Sequence, residues 1–242
     1  GIGREITRTL ASEGAKVVVI SRSERLLQET INEIGGIEKG HGYTSVDLLK
    51  NNNPKRTVKK LLDMYEKIDI VIHNVGGALG IKDLFCSVDD WYKVWYFNVG
   101  IAIEMNALII PEMIKNNWGR IVHISSISAK LGELSSKIYG GAIPYAASKA
   151  YLNSYVRNIA REFASYNIII SAIMPGAIKS ENKFWDKLSK TNPDLVKRYL
   201  DEHQAIKRFG SPGEIAPFVS LLASEKASFA CGSIIEIDGG RY

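Results

Sequence analysis

Short β-branched runs alternate with amphipathic stretches along the whole chain. Residues 16–20 read KVVVI, apolar on both faces, and predict a buried strand. Residues 23–34 put Leu26, Leu27, Thr30, Ile31 and Ile34 on one helical face, and Gly35-Gly36 stops the helix. A short strand over 43–46 closes on Asp47, and a helix over 57–67 carries Val58, Leu61, Leu62 and Tyr65 on one side. The strand at 68–73 runs into Asn74-Val75-Gly76-Gly77. Ser87-Val88-Asp89-Asp90 is a capping box that opens a long helix to about Asn116, punctuated by Trp118-Gly119. A strand is predicted at 120–125. Pro144, at the first helical position, opens a helix to about Tyr166. The remaining elements are a strand at 168–173 ending in Pro175-Gly176, a helix over 184–203 broken near Pro193, a helix at 212–223 and a strand at 234–237 before Asp238-Gly239-Gly240.

Strands that are apolar on both faces and separated by helices specify a parallel sheet covered on two sides. The fold class is therefore α/β: a Rossmann-type, doubly wound parallel sheet with helices on both faces. No linker, repeat or low-complexity segment interrupts it, so residues 1–242 read as one dinucleotide-binding domain. Ligands of such a sheet bind beyond the carboxyl ends of its strands.

Composition narrows the partners. The net charge of +5 comes from lysines dispersed among polar and apolar residues, at 55–60 and 179–190 for example. That pattern reads as a solvated surface and not as a nucleic-acid patch, and it is compatible with an anionic cofactor. No apolar run reaches the roughly 18–20 residues of a membrane span, so no membrane partner is expected. Cys86 and Cys231 make no disulfide framework, and the four histidines have no metal-ligand spacing. The expectation is a cytoplasmic protein without a metal.

The positions just after each strand carry the candidate chemistry. Ser21-Arg22 follows the first strand, where a dinucleotide fold meets the adenosine ribose. An acidic residue there would select NAD(H). Arg22 instead offers a guanidinium for a 2′-phosphate and favours NADP(H), with NAD(H) the alternative; a solvated arginine would look the same. Asp47-Leu48 suits the adenine edge. Asn74, Gly76 and Gly77 permit close backbone approach to a ribose or pyrophosphate, as an ordinary turn also would. Ser126 and Ser128 follow the next strand, and Tyr145 and Lys149 lie one turn apart on a helix face. A free phenol has a pKa of about 10 and is a poor base at neutral pH, whereas a nearby ammonium favours its phenolate. With eleven tyrosines, about one Tyr-x-x-x-Lys pair arises by chance. The weight of this one comes from its place at a helix start after a strand ending in Ser-Ser.

These motifs together resemble the short-chain dehydrogenase/reductase family over essentially the whole chain. Gly1-Ile2-Gly3 resembles the end of its T-G-x-x-x-G-x-G turn, and Asn74-Val75-Gly76-Gly77 its N-N-A-G. Asn98-Val99, Ile124-Ser125-Ser126, Tyr145-Ala-Ala-Ser-Lys149 and Pro175-Gly176-Ala177-Ile178 with Ser180 resemble its N-V, I-S-S, Y-x-x-x-K and P-G-x-I-x-T. The stretch from Phe209-Gly210 to Asp238-Gly239-Gly240 is most like 3-oxoacyl-carrier-protein reductases. The resemblance implies a nicotinamide-dependent oxidoreductase with Tyr145 as acid/base and Lys149 tuning it and holding the nicotinamide ribose. It implies Ser126 on the substrate oxygen and Asn98 ordering a water relay. Gly1, Ile2 and Gly3 would cradle the pyrophosphate, and Ile178 and Ser180 would meet the carboxamide. Members are usually homotetramers or homodimers built on the two long helices and the C-terminal segment.

Three departures modify the expectation. The chain begins inside the glycine motif, which predicts that a first strand and the motif's opening, roughly 15–20 residues, precede Gly1. The interval from Ser126 to Tyr145 exceeds the family's usual of about thirteen positions. The added loop, 133–143, is expected over the substrate site and leaves Ser128 as a second candidate hydroxyl. His73 and Val75 replace the asparagine and alanine beside Asn74. Leu131, Phe184 and Trp185 are candidate substrate contacts, with Trp185 equally able to pack a lid. A 3-oxoacyl thioester would want an apolar groove. A sugar or sugar derivative of surface-glycan biosynthesis would want the polar Ser135, Ser136, Lys137, Glu181 and Asn182. A catalytically silent dinucleotide-binding scaffold is the alternative of another class.

Overall fold

A computed structural model describes residues 1–132 and 142–242. The sheet is all-parallel. β1 (Val18–Ser21) pairs with β2 (Gly42–Ser45). β3 (Ile70–His73), β4 (Gly119–Ile124), β5 (Ile168–Pro175) and β6 (Ile234–Ile237) form a second ladder in that order. β1 and β3 share no ladder, so the sheet is in two pieces. Burial follows pairing. Every residue of β4 and β5 is buried, whereas β1 and β3 are half-buried throughout.

Alternate side chains of the central strands go to opposite layers. Ile121, Ile168 and Ile170 pack with Val58 of α3 (Asn53–Met64), with Met105, Ile109 and Met113 of α5 (Ile101–Lys115), and with Val156 and Ala160 of α7 (Ile143–Phe163). Val122, Ile124 and Ile173 pack with Ile6 and Leu10 of α1 (Ile2–Ser12) and with Val219 and Leu222 of α10 (Ala216–Ala223). A sheet covered on both faces is what the two-sided apolar runs require.

The helix bounds differ from the periodicity where local chemistry intervenes. α3 starts at Asn53, ahead of the expected 57, because Pro54 is suited to a first turn. The expected helix from Ser87 to Asn116 is real but not uniform. Ser87 caps α4 (Val88–Trp95) by accepting the Asp90 N–H at 3.2 Å. A π-helical turn, Tyr96–Gly100, then joins α4 to α5. The continuous segment Val88–Lys115 is long and apolar enough to cross a membrane, which no simple apolar run suggested, but over half of its most apolar stretch is buried as a core helix.

The expected break near Pro193 separates α8 (Phe184–Thr191) from α9 (Pro193–His203), whose Asn192 cap accepts the Leu195 N–H at 3.1 Å. These two helices enclose a third apolar cluster. Trp185 lies 4.3 Å from the Tyr199 ring and 4.9 Å from Phe209, so its ring packs the lid.

Candidate active site

All strands point the same way, so the loops after β1 to β6 gather along one edge. Ser125 extends β4 by donating its N–H to Ile173 O at 2.8 Å, and Ile127 N–H reaches Pro175 O at 3.0 Å. Between them Ser126 is held at the strand end, 9% exposed, its Oγ accepting the Ser128 N–H at 3.2 Å. Ser128 is itself buried and opens the short helix α6 (Ser128–Leu131), while Leu131 is exposed.

α7 carries Tyr145 and Lys149 on the face turned to this strand end. Lys149 is 3% exposed and donates from Nζ to Ile124 O at 2.7 Å. Its Nζ lies 5.8 Å from the centroid of the Tyr145 ring. Burial pushes the ammonium down to about 7. A buried lysine next to a phenol is costly for folding and useful for proton transfer.

The turn after β3 closes the floor. A Cβ on Gly76 would stand 2.6 Å from Asn98 Oδ1 and 3.0 Å from Lys149 Nζ, so no larger residue fits the present arrangement. Asn98, in the π-helical turn, accepts the Gly77 N–H at 2.9 Å and donates to Gly77 O at 2.9 Å and Val94 O at 2.8 Å. Its amide is thus a clamp on the glycine turn, and π turns often occur at functional sites.

The expected cofactor residues line the same edge. Gly1, Ile2 and Gly3 begin α1, with backbone N–H groups free of intrahelical partners. Gly3 packs so close to Asn74 that a Cβ would meet its Nδ2 at 2.6 Å, and Ser180 Oγ approaches Gly1. Ser21 ends β1, accepting the Ser23 N–H at 3.4 Å. Arg22 is exposed and, among the described residues, no carboxylate engages its guanidinium. Asp47 accepts the Leu49 N–H at 3.1 Å. The Leu48 side chain is in the core, which leaves only its backbone for a ligand. Pro175 ends β5. A Cβ on Gly176 would meet Asp238 Cα at 2.6 Å, and Ile178 bridges to Gly210. Phe184 is exposed beside Lys82, whose Nζ lies 5.3 Å from its ring. Residues 133–141 of the expected substrate loop, with Ser135, Ser136 and Lys137, lie outside the described residues.

A family model described as Enoyl-(Acyl carrier protein) reductase matches residues 1–241. The chain belongs to the short-chain dehydrogenase/reductase family. It is 30% identical to the 3-oxoacyl-[acyl-carrier-protein] reductase FabG of Aquifex aeolicus over all of this chain and 93% of that one. It is 29% identical to the 7alpha-hydroxysteroid dehydrogenase of Escherichia coli K12, covering 99% of this chain and 89% of the other. Among solved structures, L-sorbose reductase from Gluconobacter frateurii complexed with NADPH and L-sorbose superimposes with a TM-score of 0.87 at 29% identity, over 99% of this chain and 92% of that one. This protein is thus a short-chain dehydrogenase/reductase and an oxidoreductase.

Sequence reading of this family member missed a buried polar group beneath the site. His73 and His123 face each other across β3 and β4 with rings 4.6 Å apart. His73 Nε2 bonds Asn106 Oδ1 at 2.8 Å, and Asn106 donates to Tyr155 OH at 3.1 Å. Among the described residues, neither ring nitrogen of His123 has a hydrogen-bond partner. The signal was present as two histidines in strand-like stretches, one after Ile70-Val71-Ile72 and one after Ile121-Val122. Burial pushes His73 down to about 4. Burial, then the charges of His73 and Lys149, push His123 well below its usual value.

An acid-labile fold follows. Between the unfolded value of about 6.5 and the depressed folded value, the unfolded chain binds more protons, so stability is lost as pH falls. His73 alone is expected to cost about 2 kcal/mol between pH 7.5 and 5. Urea titrations at the two pH values check this. His123→Leu, which removes unsatisfied nitrogens, is expected to flatten the dependence without loss of stability at pH 7.5. An unchanged slope in that variant would count against the pair.

Proposed function

We propose that this oxidoreductase interconverts a carbonyl and a secondary alcohol with NADP(H), with Ser126, Tyr145, Lys149 and Asn98 as its catalytic residues. The observation that carries the reading is the buried Lys149 ammonium, anchored on Ile124 O beside the Tyr145 ring at the end of the strand that bears Ser126. The glycines at 3, 76 and 176 are required by packing against Asn74, Asn98 and Asp238 at this edge, and the exposed guanidinium of Arg22 after β1 fits an anionic dinucleotide.

When bound, the nicotinamide supplies the hydride in reduction and accepts it in oxidation. Gly1, Ile2 and Gly3 would direct backbone N–H groups at its pyrophosphate. Ser21 and Arg22 would hold the adenosine ribose and its 2′-phosphate, and Asp47 with the Leu48 backbone would take the adenine. Asn74, Gly76 and Lys149 would hold the nicotinamide ribose, and Pro175, Gly176, Ile178 and Ser180 would take the carboxamide. In reduction, Tyr145 would donate its phenolic proton to the carbonyl oxygen. Ser126 donates a hydrogen bond to the same oxygen. The phenolate left behind is stabilised by the Lys149 ammonium and is reprotonated by way of Lys149 and water ordered near Asn98.

Titration of the protein with NADPH and NADH tests the reading. Tighter NADPH binding is expected. Arg22→Asp is expected to weaken NADPH about tenfold or more and to favour NADH, because the ion pair with the phosphate becomes a repulsion. Equal affinities in wild type and variant would overturn the role of Arg22. Binding of neither cofactor would favour the silent scaffold.

Identity to acyl-carrier-protein reductases supports a 3-oxoacyl thioester as substrate. The likeness to L-sorbose reductase, with exposed Glu181 and Asn182 on the lid, supports a sugar or sugar derivative as the second reading. Turnover of acetoacetyl thioester against ketoses and keto-sugars separates them. The protein is further proposed to be cytoplasmic and to pair with copies of itself. The exposed Tyr92 and Tyr151, each within 6 Å of the Trp95 ring between them, give α4 and α7 an aromatic face for a homodimer or homotetramer.

A further inference from the structure

Three consecutive residues leave the end of β4, and each has a different attachment. Ile124 O receives the Lys149 ammonium. Ser126 Oγ is the hydroxyl assigned above to the substrate oxygen. The residue between them, Ser125, is 3% exposed, and its hydroxyl donates to Asn153 Oδ1 at 2.6 Å, with a longer approach to Lys149 O at 3.5 Å. Asn153 stands four residues beyond Lys149 and eight beyond Tyr145, so the three share one stripe of α7. Its other end is fixed as well, since Nδ2 donates to Met174 Sδ at 3.1 Å on β5. The asparagine thus ties the catalytic helix to both central strands within one turn of Lys149.

We propose that Asn153, acting through Ser125, is a positioning residue that sets the Ser126 hydroxyl against the Tyr145 phenol. The inference rests on the function proposed above. Ser125 directly precedes Ser126, so holding Ser125 against α7 fixes the backbone from which the Ser126 side chain leaves the strand end. Without the Ser125–Asn153 bond, the Ser126 turn keeps its Ser128 contact but loses its tie to the helix that carries Tyr145. A small misplacement of a hydrogen-bond donor at a reacting oxygen lowers the rate without changing how substrate is held.

The experiment is a double-mutant cycle on the full protein with NADPH and the best carbonyl of the screen, acetoacetyl thioester first. Asn153→Leu keeps the volume and removes both hydrogen bonds. It is expected to lower kcat about tenfold, with KM, NADPH Kd and melting temperature nearly unchanged. In a Ser126→Ala background the same substitution is expected to cost less than about twofold, because the residue it orients is gone. Ser125→Ala is expected to reproduce the loss and Ser125→Thr, which keeps the hydroxyl, to restore most of it. Should Asn153→Leu not fold, the two Ser125 variants decide. Wild-type turnover in Asn153→Leu, or an equal loss with and without Ser126, overturns the proposal. Tyr145→Phe run in the same assay separates the two levels. If it is dead while Asn153→Leu is fully active, only the positioning role fails. If Tyr145→Phe is fully active, or no carbonyl is turned over, the underlying function fails and the proposal with it.

Discussion

Tyr145→Phe is expected to lower kcat by about a thousandfold and to leave NADPH affinity within about twofold. The phenol sits where α7 approaches the Ser126 strand end, with the Lys149 ammonium 5.8 Å from its ring centroid. Phenylalanine keeps the ring and its packing and removes only the oxygen. The carbonyl would then gain its hydride with no acid placed to protonate it, and the charge developing on oxygen would rest on Ser126 alone. Steady-state kinetics on the best substrate of the carbonyl screen, with a parallel cofactor titration, make the check. Full activity in this variant would mean that another group transfers the proton and that the proposed mechanism is wrong.

Lys149→Met is expected to abolish turnover and, at the same time, to stabilise the cofactor-free protein. The lysine is buried, and burial alone holds its ammonium down to about 7, against about 10.4 in an unfolded chain. The folded state therefore binds fewer protons than the unfolded one between these values. At pH 7 this costs the fold about 4 kcal/mol relative to an uncharged side chain. Methionine removes that cost but leaves Ile124 O without its donor, a loss of roughly 1–3 kcal/mol. The net gain of about 1–3 kcal/mol corresponds to a melting temperature higher by roughly 3–8 °C. The gain should be largest below pH 7 and should fade as pH rises toward 10, where the wild-type lysine loses its proton in both states. Thermal melts at pH 7 and 9.5 test both the size and the sign. A variant less stable than wild type at pH 7 would show that the lysine is accommodated without penalty.

Much of the fold was legible because its signals are local. The β-branched residues of β4 and β5 predicted strands covered on both faces, and every residue of both is buried, Arg120, His123 and Ser171 included. Pro144, Pro193 and the Ser87 cap marked helix starts that α7, α9 and α4 adopt. Ser126, Tyr145 and Lys149 were readable as candidates because a parallel sheet brings its strand ends to one edge, so order along the chain becomes neighbourhood in space. Other features depend on contacts between distant segments. Trp185 was undecided between pocket and lid until Tyr199 and Phe209 enclosed it. Leu48 was read as a cofactor contact, yet its side chain completes the core. The His73–His123 stack requires the register of β3 on β4, which no spacing along the chain supplies. Asn153 follows Lys149 at helical spacing, but nothing along the chain singles it out, because its partner Ser125 lies on another element.

The π-helical turn has a geometric meaning of its own. Each residue of an α-helix advances the azimuth by about 100°, so one residue too many in a single turn puts the two flanking helices out of phase. Val94 on α4, Asn98 in the turn, and Met105, Ile109 and Met113 on α5 are all buried, so the change of phase at the turn is absorbed with a buried face on both flanks while the amide of Asn98 reaches the glycine loop. Deleting one residue between Tyr96 and Gly100 would therefore act as a rotation of one half of the rod against the other, more than as a shortening.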